Sequence, residues 1–134
     1  MSASENKERM RGLFAATAEG DFDPLVAALA DDASWTIKGG TPFSKTYAGK
    51  EKILARLLGP LAARIDGRLR LSARRLIAED DLVVVEAQGA ASTVAGVAYD
   101  NGYCFVFRLE QGRIREITEY MDTQLVMTAF GSES

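Results

Sequence analysis

Arg113-Ile114-Arg115-Glu116-Ile117-Thr118-Glu119-Tyr120-Met121-Asp122-Thr123 is the stretch on which the fold turns. In an extended strand, successive side chains fall on opposite faces. Ile117, Glu119 and Met121 then share one face, while Glu116, Thr118, Tyr120 and Asp122 share the other. Three of the four residues on the second face are hydrophilic, so the first face is the one turned to a core. Glu119 is the exception on it. A carboxylate between Ile117 and Met121 must meet water, pair with a cation, or take up a proton. Burial without a partner raises a carboxyl pKa toward the range useful for general acid–base catalysis. An open rim, or an ion pair with an arginine of a neighbouring element, is the structural alternative, and both readings stand at this point.

Working backward from that strand, Glu110-Gln111-Gly112 makes a short hairpin connection to Tyr103–Leu109. A looser stretch at 93–102 leads back to Leu82–Ser92, which Asp80-Asp81 separates from a fourth strand beginning at Gly67. Leu69, Leu71 and Ala73 alternate with arginines there, and the Arg74-Arg75 pair breaks the alternation, which predicts a bulge. Glu86 shares a face with Leu82, Val84 and Gln88 and is read as structural.

The first half of the chain has a different period. Residues 4–20 form an amphipathic helix with Met10, Leu13, Phe14, Thr17 and Ala18 on one stripe, stopped at Gly20-Asp21. A second helix is predicted at about 23–31, capped by Asp23 with Pro24 at its first position. Ala33 to Lys38 reads as a strand with Ala33, Trp35 and Ile37 on one side, followed by a loop running to Gly49. A third helix covers roughly 50–65, where Pro60 predicts a kink or an early end. Helices followed by a run of antiparallel strands mean a single α+β domain over 1–134, with about three helices packed on one face of a curved, mostly antiparallel sheet.

Composition narrows the chemistry. The 134 residues carry 16 Lys+Arg against 19 Asp+Glu, a net charge of −3, with one cysteine and no histidine. The absent imidazole removes histidine-based triads and histidine metal sites. A mildly acidic surface does not suit nucleic acid, and Arg68, Arg70, Arg74 and Arg75 read as the solvated face of a strand. No apolar run reaches the ~20 residues of a membrane span. The lone Cys104 fits a reducing cytoplasm and reads as a small buried hydrophobe. No metal and no cofactor are expected, because carboxylates do not group on one face.

Several segments, taken in order and spacing, resemble the nuclear transport factor 2-like superfamily and within it the SnoaL-like, ketosteroid isomerase-related proteins. They include Ala18-Glu19-Gly20-Asp21-Phe22-Asp23, Tyr47-Ala48-Gly49-Lys50-Glu51-Lys52-Ile53, Tyr99-Asp100-Asn101-Gly102-Tyr103 and Glu119-Tyr120-Met121-Asp122-Thr123. The resemblance covers nearly the whole chain and implies a cone, with helices closing over a strongly bent sheet around a mostly apolar pocket. It implies Trp35, Ile37, Leu13, Tyr103, Phe105 and Met121 as pocket residues and Glu119 as the proton-transfer group. Where ketosteroid isomerases carry a carboxylate base and two oxyanion donors, this chain has Ile37, Leu13 and Phe105, so their reaction is not expected. Limonene-epoxide hydrolysis is not expected either, since Ala87 and Gly89 stand at two of its polar positions.

Three functions follow as expectations. The first is an isomerase, cyclase or hydrolase acting through Glu119 on a small hydrophobic molecule. The second is a pocket that binds such a molecule without catalysis. The third is an interaction module forming a homodimer through the outer sheet face around Cys104, Val106 and Tyr120.

Overall fold

The computed structural model describes residues 1–131. It runs α1 (Ala3–Thr17), α2 (Asp23–Ala28), β1 (Leu29–Ile37), β2 (Thr46–Ala48), α3 (Lys50–Lys52), a π-helical segment (Ile53–Leu58) and α4 (Gly59–Arg64). It continues with β3 (Ile65–Glu79), β4 (Leu82–Thr93), β5 (Gly102–Glu110), β6 (Arg113–Met121) and α5 (Thr123–Phe130). The six strands form one sheet in the order β2-β1-β6-β5-β4-β3. The α+β expectation holds, and the meander β3 to β6 is antiparallel throughout. β1 returns to pair parallel with β6, so the first strand lies beside the last.

The alternation that decides β6 is present: Ile117 and Glu119 are buried, Thr118 is half-buried, and Glu116 and Tyr120 are exposed. The predicted bulge is also present, as the β3–β4 register skips between Ala73 and Arg75. At that skip Arg75 faces Glu86 and donates to it at 2.6 Å, giving Glu86 a structural partner on the outer face. Met10, Leu13 and Phe14 of α1 pack on the inner face, where the Phe14 ring lies 6.0 Å from Phe105 and 5.8 Å from Phe107. Ser2 and Glu5 close a capping box at the start of that helix.

Four local expectations need correction. The helix expected over 23–31 ends at Ala28, because Leu29 pairs with Ile114 and the chain is already strand. Sheet pairing overrides the helical pattern of that short apolar run. The loop to Gly49 contains β2, whose Tyr47 is buried opposite Trp35. The helix over 50–65 does not end at Pro60. It widens to π geometry just before, where the Gly59 amide bonds back five residues to the Leu54 carbonyl. A wider turn is the local adjustment that admits a proline in mid-helix, since proline has no N–H and its ring crowds the preceding turn.

The fourth correction concerns the C-terminal end. The last strand stops at Met121 rather than Thr123, and a further helix, α5, follows it. Asp122 caps α5, its carboxylate accepting from the Gln124 and Leu125 amides. α5 carries Val126, Ala129 and Phe130 into a second apolar cluster with Ile65 and Tyr99. Asp122→Ala removes the cap and is expected to destabilise the protein by about 1 kcal/mol in urea denaturation. An unchanged midpoint would show that α5 is held by its apolar face alone.

Candidate active site

Sheet register sets the site. Glu119 of β6 lies between Ile37 of β1 and Phe105 of β5, both buried and apolar. Trp35 is opposite Ile117, one pleat away on the same face. Its ring reaches diagonally so that the indole Nε1 donates to Glu119 Oε1 at 2.9 Å. No ion pair among the described residues involves Glu119, and its other oxygen has no hydrogen-bond partner there. Of the two structural alternatives raised by the sequence, the arginine partner is therefore absent among the described residues. Glu119 is only 8% exposed, so the open rim does not describe it either.

Burial pushes the Glu119 carboxyl up to about 7, from an ordinary value of 4.5, and the Trp35 hydrogen bond opposes this only in part. The group is thus half ionised near neutrality, which is the condition a general acid or base needs. Tyr47, Tyr99 and Tyr103 each feel its negative charge, and their phenols are raised first of all by burial. All three keep their protons at any physiological pH.

Glu119 opens onto an internal cavity of about 60 Å³, whose lining includes Trp35, Ile37, Tyr99, Tyr103 and Phe105. Phe14 and Leu71 close its floor and side. Of the expected pocket residues, Trp35, Ile37, Tyr103 and Phe105 meet Glu119 around this space. Leu13 is packed in the core, and Met121 is partly buried between the two apolar clusters; neither lines the cavity. Tyr99 does line it, and periodicity gave no sign of that, because Tyr99 precedes β5 in a loop. Its signal in the sequence was only the run Tyr99-Asp100-Asn101, which places an amide side chain two residues from a phenol.

A space of this size holds a few waters, whereas benzene requires a cavity of about 150 Å³. Next to it lies an outer groove of about 340 Å³. Phe22, Leu58, Leu61 and Leu69 line both volumes and form the partition between them. Leu58 ends the π-helical segment and Leu61 follows Pro60, so half of this partition hangs on the irregular part of the helix. A larger depression of about 600 Å³ opens elsewhere on the surface, but its arginines are already committed: Arg108 to Asp81 and Glu116, and Arg115 to Asp32.

A bent six-stranded sheet closed by helices over an apolar cavity with one buried carboxyl defines an α+β cone of the NTF2-like class. Residues 10–117 match the family model of the SnoaL-like domain, and the chain belongs to that family. An uncharacterized protein of Mycobacterium tuberculosis is 24% identical over 120 residues, covering 90% of this chain and 91% of that one. An NTF2-like protein of unknown function from Burkholderia pseudomallei superposes with a TM-score of 0.82 at 24% identity, over 98% of this chain and 100% of that chain. A protein assigned as a SnoaL-like polyketide cyclase from Jannaschia gives a TM-score of 0.77 at 19% identity, over 98% of this chain and 95% of that chain. No helix among the described residues is long and apolar enough to cross a membrane.

Trp35 is the sole tryptophan, so its fluorescence reports directly on the protonation of the carboxyl it touches. Emission is expected to titrate with a midpoint near pH 7, and Glu119→Gln, which keeps the acceptor oxygen, is expected to abolish that transition. Stability should move with it. The folded-state value lies above that of the unfolded chain, so the native state binds more protons between pH 4.5 and about 7. Stability therefore falls as pH rises through that window and levels off above it. Between pH 4 and pH 8 the stability difference between wild type and Glu119→Gln is expected to shift by on the order of 2–3 kcal/mol in favour of the variant. Parallel denaturation curves at both pH values would show that Glu119 keeps an ordinary pKa.

Proposed function

We propose that this protein carries out cofactor-independent general acid–base chemistry, of the isomerase, cyclase or hydrolase type, on a small and mostly apolar molecule held in the Glu119 cavity. The observation that carries this reading is the lone carboxyl, buried on an apolar face, half ionised near neutrality and left with one free oxygen. Such a group can take a proton from a substrate and return it, and the apolar walls keep water from competing. The substrate must displace the partition of Phe22, Leu58, Leu61 and Leu69 to enter, since the inner space is too small for it as it stands. The cyclase assignment carried by the Jannaschia relative fits this class of reaction.

A second reading has its own support. Ile37 and Phe105 line the cavity as buried apolar residues at positions where ketosteroid isomerases carry polar groups, which suits a cavity that binds without reacting. The two readings separate on one experiment. Native mass spectrometry of the purified protein, followed by extraction, identifies a retained small molecule, which is then incubated with wild type and Glu119→Gln. An enzyme is expected to convert it and to lose at least 100-fold in kcat in the variant. A base role gives kcat/KM rising through pH 7, and an acid role gives it falling. Equal conversion by both proteins would exclude Glu119, and binding without conversion would favour the non-catalytic reading.

We further infer a homodimer, with the outer sheet face as its interface. Ile77, Val84, Val106 and Thr118 line up across that face by register, and the row Glu86, Cys104 and Tyr120 lies next to it. Ile77 is 52% and Tyr120 46% exposed, a large apolar area for a sheet face left to water. Light scattering at micromolar concentration is expected to give twice the 14.5 kDa chain mass, and Val106→Glu the monomer. A monomeric wild type would refute the interface.

A further inference from the structure

The polar groups around the cavity can be counted donor by donor. The Tyr103 hydroxyl donates to the Tyr99 hydroxyl at 3.3 Å, and Asn101 Nδ2 donates to the same oxygen at 3.3 Å. A phenol oxygen takes these two bonds and retains one proton of its own to give. That proton has no acceptor among the described residues. Asn101 is 0% exposed and cannot help: its amide nitrogen also donates to the Asp122 carbonyl at 3.1 Å, and its carbonyl oxygen accepts from the Asp122 amide at 3.1 Å. The Trp35 N–H is committed to Glu119 and the Tyr47 hydroxyl to the Phe43 carbonyl.

We propose that Tyr99 presents the uncommitted hydroxyl donor of this cavity when Glu119 is ionised, and that it then binds a carbonyl oxygen on an otherwise apolar ligand. This rests on the Glu119 cavity being the ligand site, as argued above. Because both acceptor positions of the Tyr99 oxygen are occupied, it can only donate, so the ligand atom it meets must be an acceptor. No lysine or arginine lines the cavity, and Glu119 adds negative charge there, so an anionic acceptor such as a carboxylate is disfavoured and a neutral one fits. A ligand hydroxyl would find its own acceptor in the free oxygen of ionised Glu119; a carbonyl has no proton to offer, and with the carboxylate unable to donate it falls to Tyr99.

The donor is also held in place before any ligand arrives. The Tyr99 ring packs edge-on against Phe130 at 4.8 Å, and its amide donates to the Ala91 carbonyl at 2.8 Å. Asn101 fixes the same loop to the start of α5 through its two bonds to Asp122. A fixed dipole aimed into an apolar space loses no orientational freedom on binding. Tyr99 is accordingly a specificity-determining residue that selects carbonyl compounds over hydrocarbons of the same shape.

The test uses cyclopentanone, labelled with carbon-13 at the carbonyl, and its isostere methylenecyclopentane, each titrated into the full chain at about pH 8.5, where Glu119 is largely ionised, and followed by protein NMR shifts. Tyr99→Phe is expected to weaken the ketone by about five- to tenfold and to leave the alkene within about twofold. Tyr47→Phe is expected to change neither by more than about twofold, since Tyr47 does not line the cavity and its hydroxyl is committed to the Phe43 carbonyl. The bound carbonyl carbon in wild type is expected downfield of its position in hydrocarbon solvent, a reading that needs no variant to fold. The proposal is overturned if that resonance does not move, if Tyr99→Phe weakens both probes alike, or if Tyr47→Phe weakens the ketone as much. Should Tyr99→Phe leave ketone binding intact while Glu119→Gln abolishes conversion, the donor assignment alone fails. If wild type takes neither probe, the ligand site itself is lost as well.

Discussion

The hydrogen bond from Trp35 to Glu119 is the contact around which the interior is arranged. A carboxyl carried on a strand between two apolar neighbours faces a choice between ionisation and burial, and a single neutral donor does not resolve it. With two or three donors or a cation, the group would be a settled carboxylate far below neutrality. With none, it would be a buried neutral acid with no definite orientation. One indole N–H gives it a fixed direction and leaves its proton labile. That arrangement needs Trp35 and Glu119 on the same face of neighbouring strands, which is what the parallel pairing of β1 with β6 supplies.

The apolar residues divide into two bodies around this bond. On one side α1 lies over β3 and β4 and sets Phe14 against β5, where Phe105 stacks at 5.3 Å on Tyr103 and lies 5.7 Å from Phe107. On the other, α5 brings Phe130 against Tyr99 and Phe43. Between them the wall is a single layer of Phe22, Leu58, Leu61 and Leu69, half-buried and backed by the outer groove. The interior is therefore thinnest at these four side chains, the wall that the proposed ligand would have to displace. A half-buried layer makes fewer contacts than a core layer, so displacing it costs less than opening any other wall.

How much of this was legible in the sequence depended on whether the signal was local. The alternation in β6, the exceptional carboxylate on its apolar face and the bulge at Arg74-Arg75 are written in consecutive residues, and each was read correctly. Leu29 to Asp31 was not, because the short apolar run Leu25 to Ala30 fits helix and strand equally, and only the pairing of Leu29 with Ile114 decides. The π-helical segment escaped for a related reason: Pro60 announces a disturbance, but whether the chain breaks or widens depends on what packs beneath it. The C-terminal helix was missed where a strand pattern was extended to Thr123, although Asp122 is a cap residue and Leu125, Val126, Ala129 and Phe130 behind it follow helical spacing. Tyr99 lay beyond this kind of reading altogether. Its role comes from which of its lone pairs are filled, and no spacing rule contains that.

The missing histidine takes on a different meaning in this setting. Imidazole is the usual proton carrier near neutrality because its unperturbed pKa, about 6.5, already lies there. A carboxyl begins about two units lower and must be raised by its surroundings, so an enclosure made of Ile37, Phe105 and an indole ring substitutes for the intrinsic chemistry of the side chain. The substitution has a consequence that imidazole does not share. The protonated carboxyl is neutral and the ionised one negative, so the charged state is the one the apolar walls oppose. Whatever neutralises the developing charge after a proton has been given up must come from the ligand or from a donor within the cavity. Among the described residues the Trp35 N–H already serves the carboxylate, and the Tyr99 O–H is the donor proposed for the ligand.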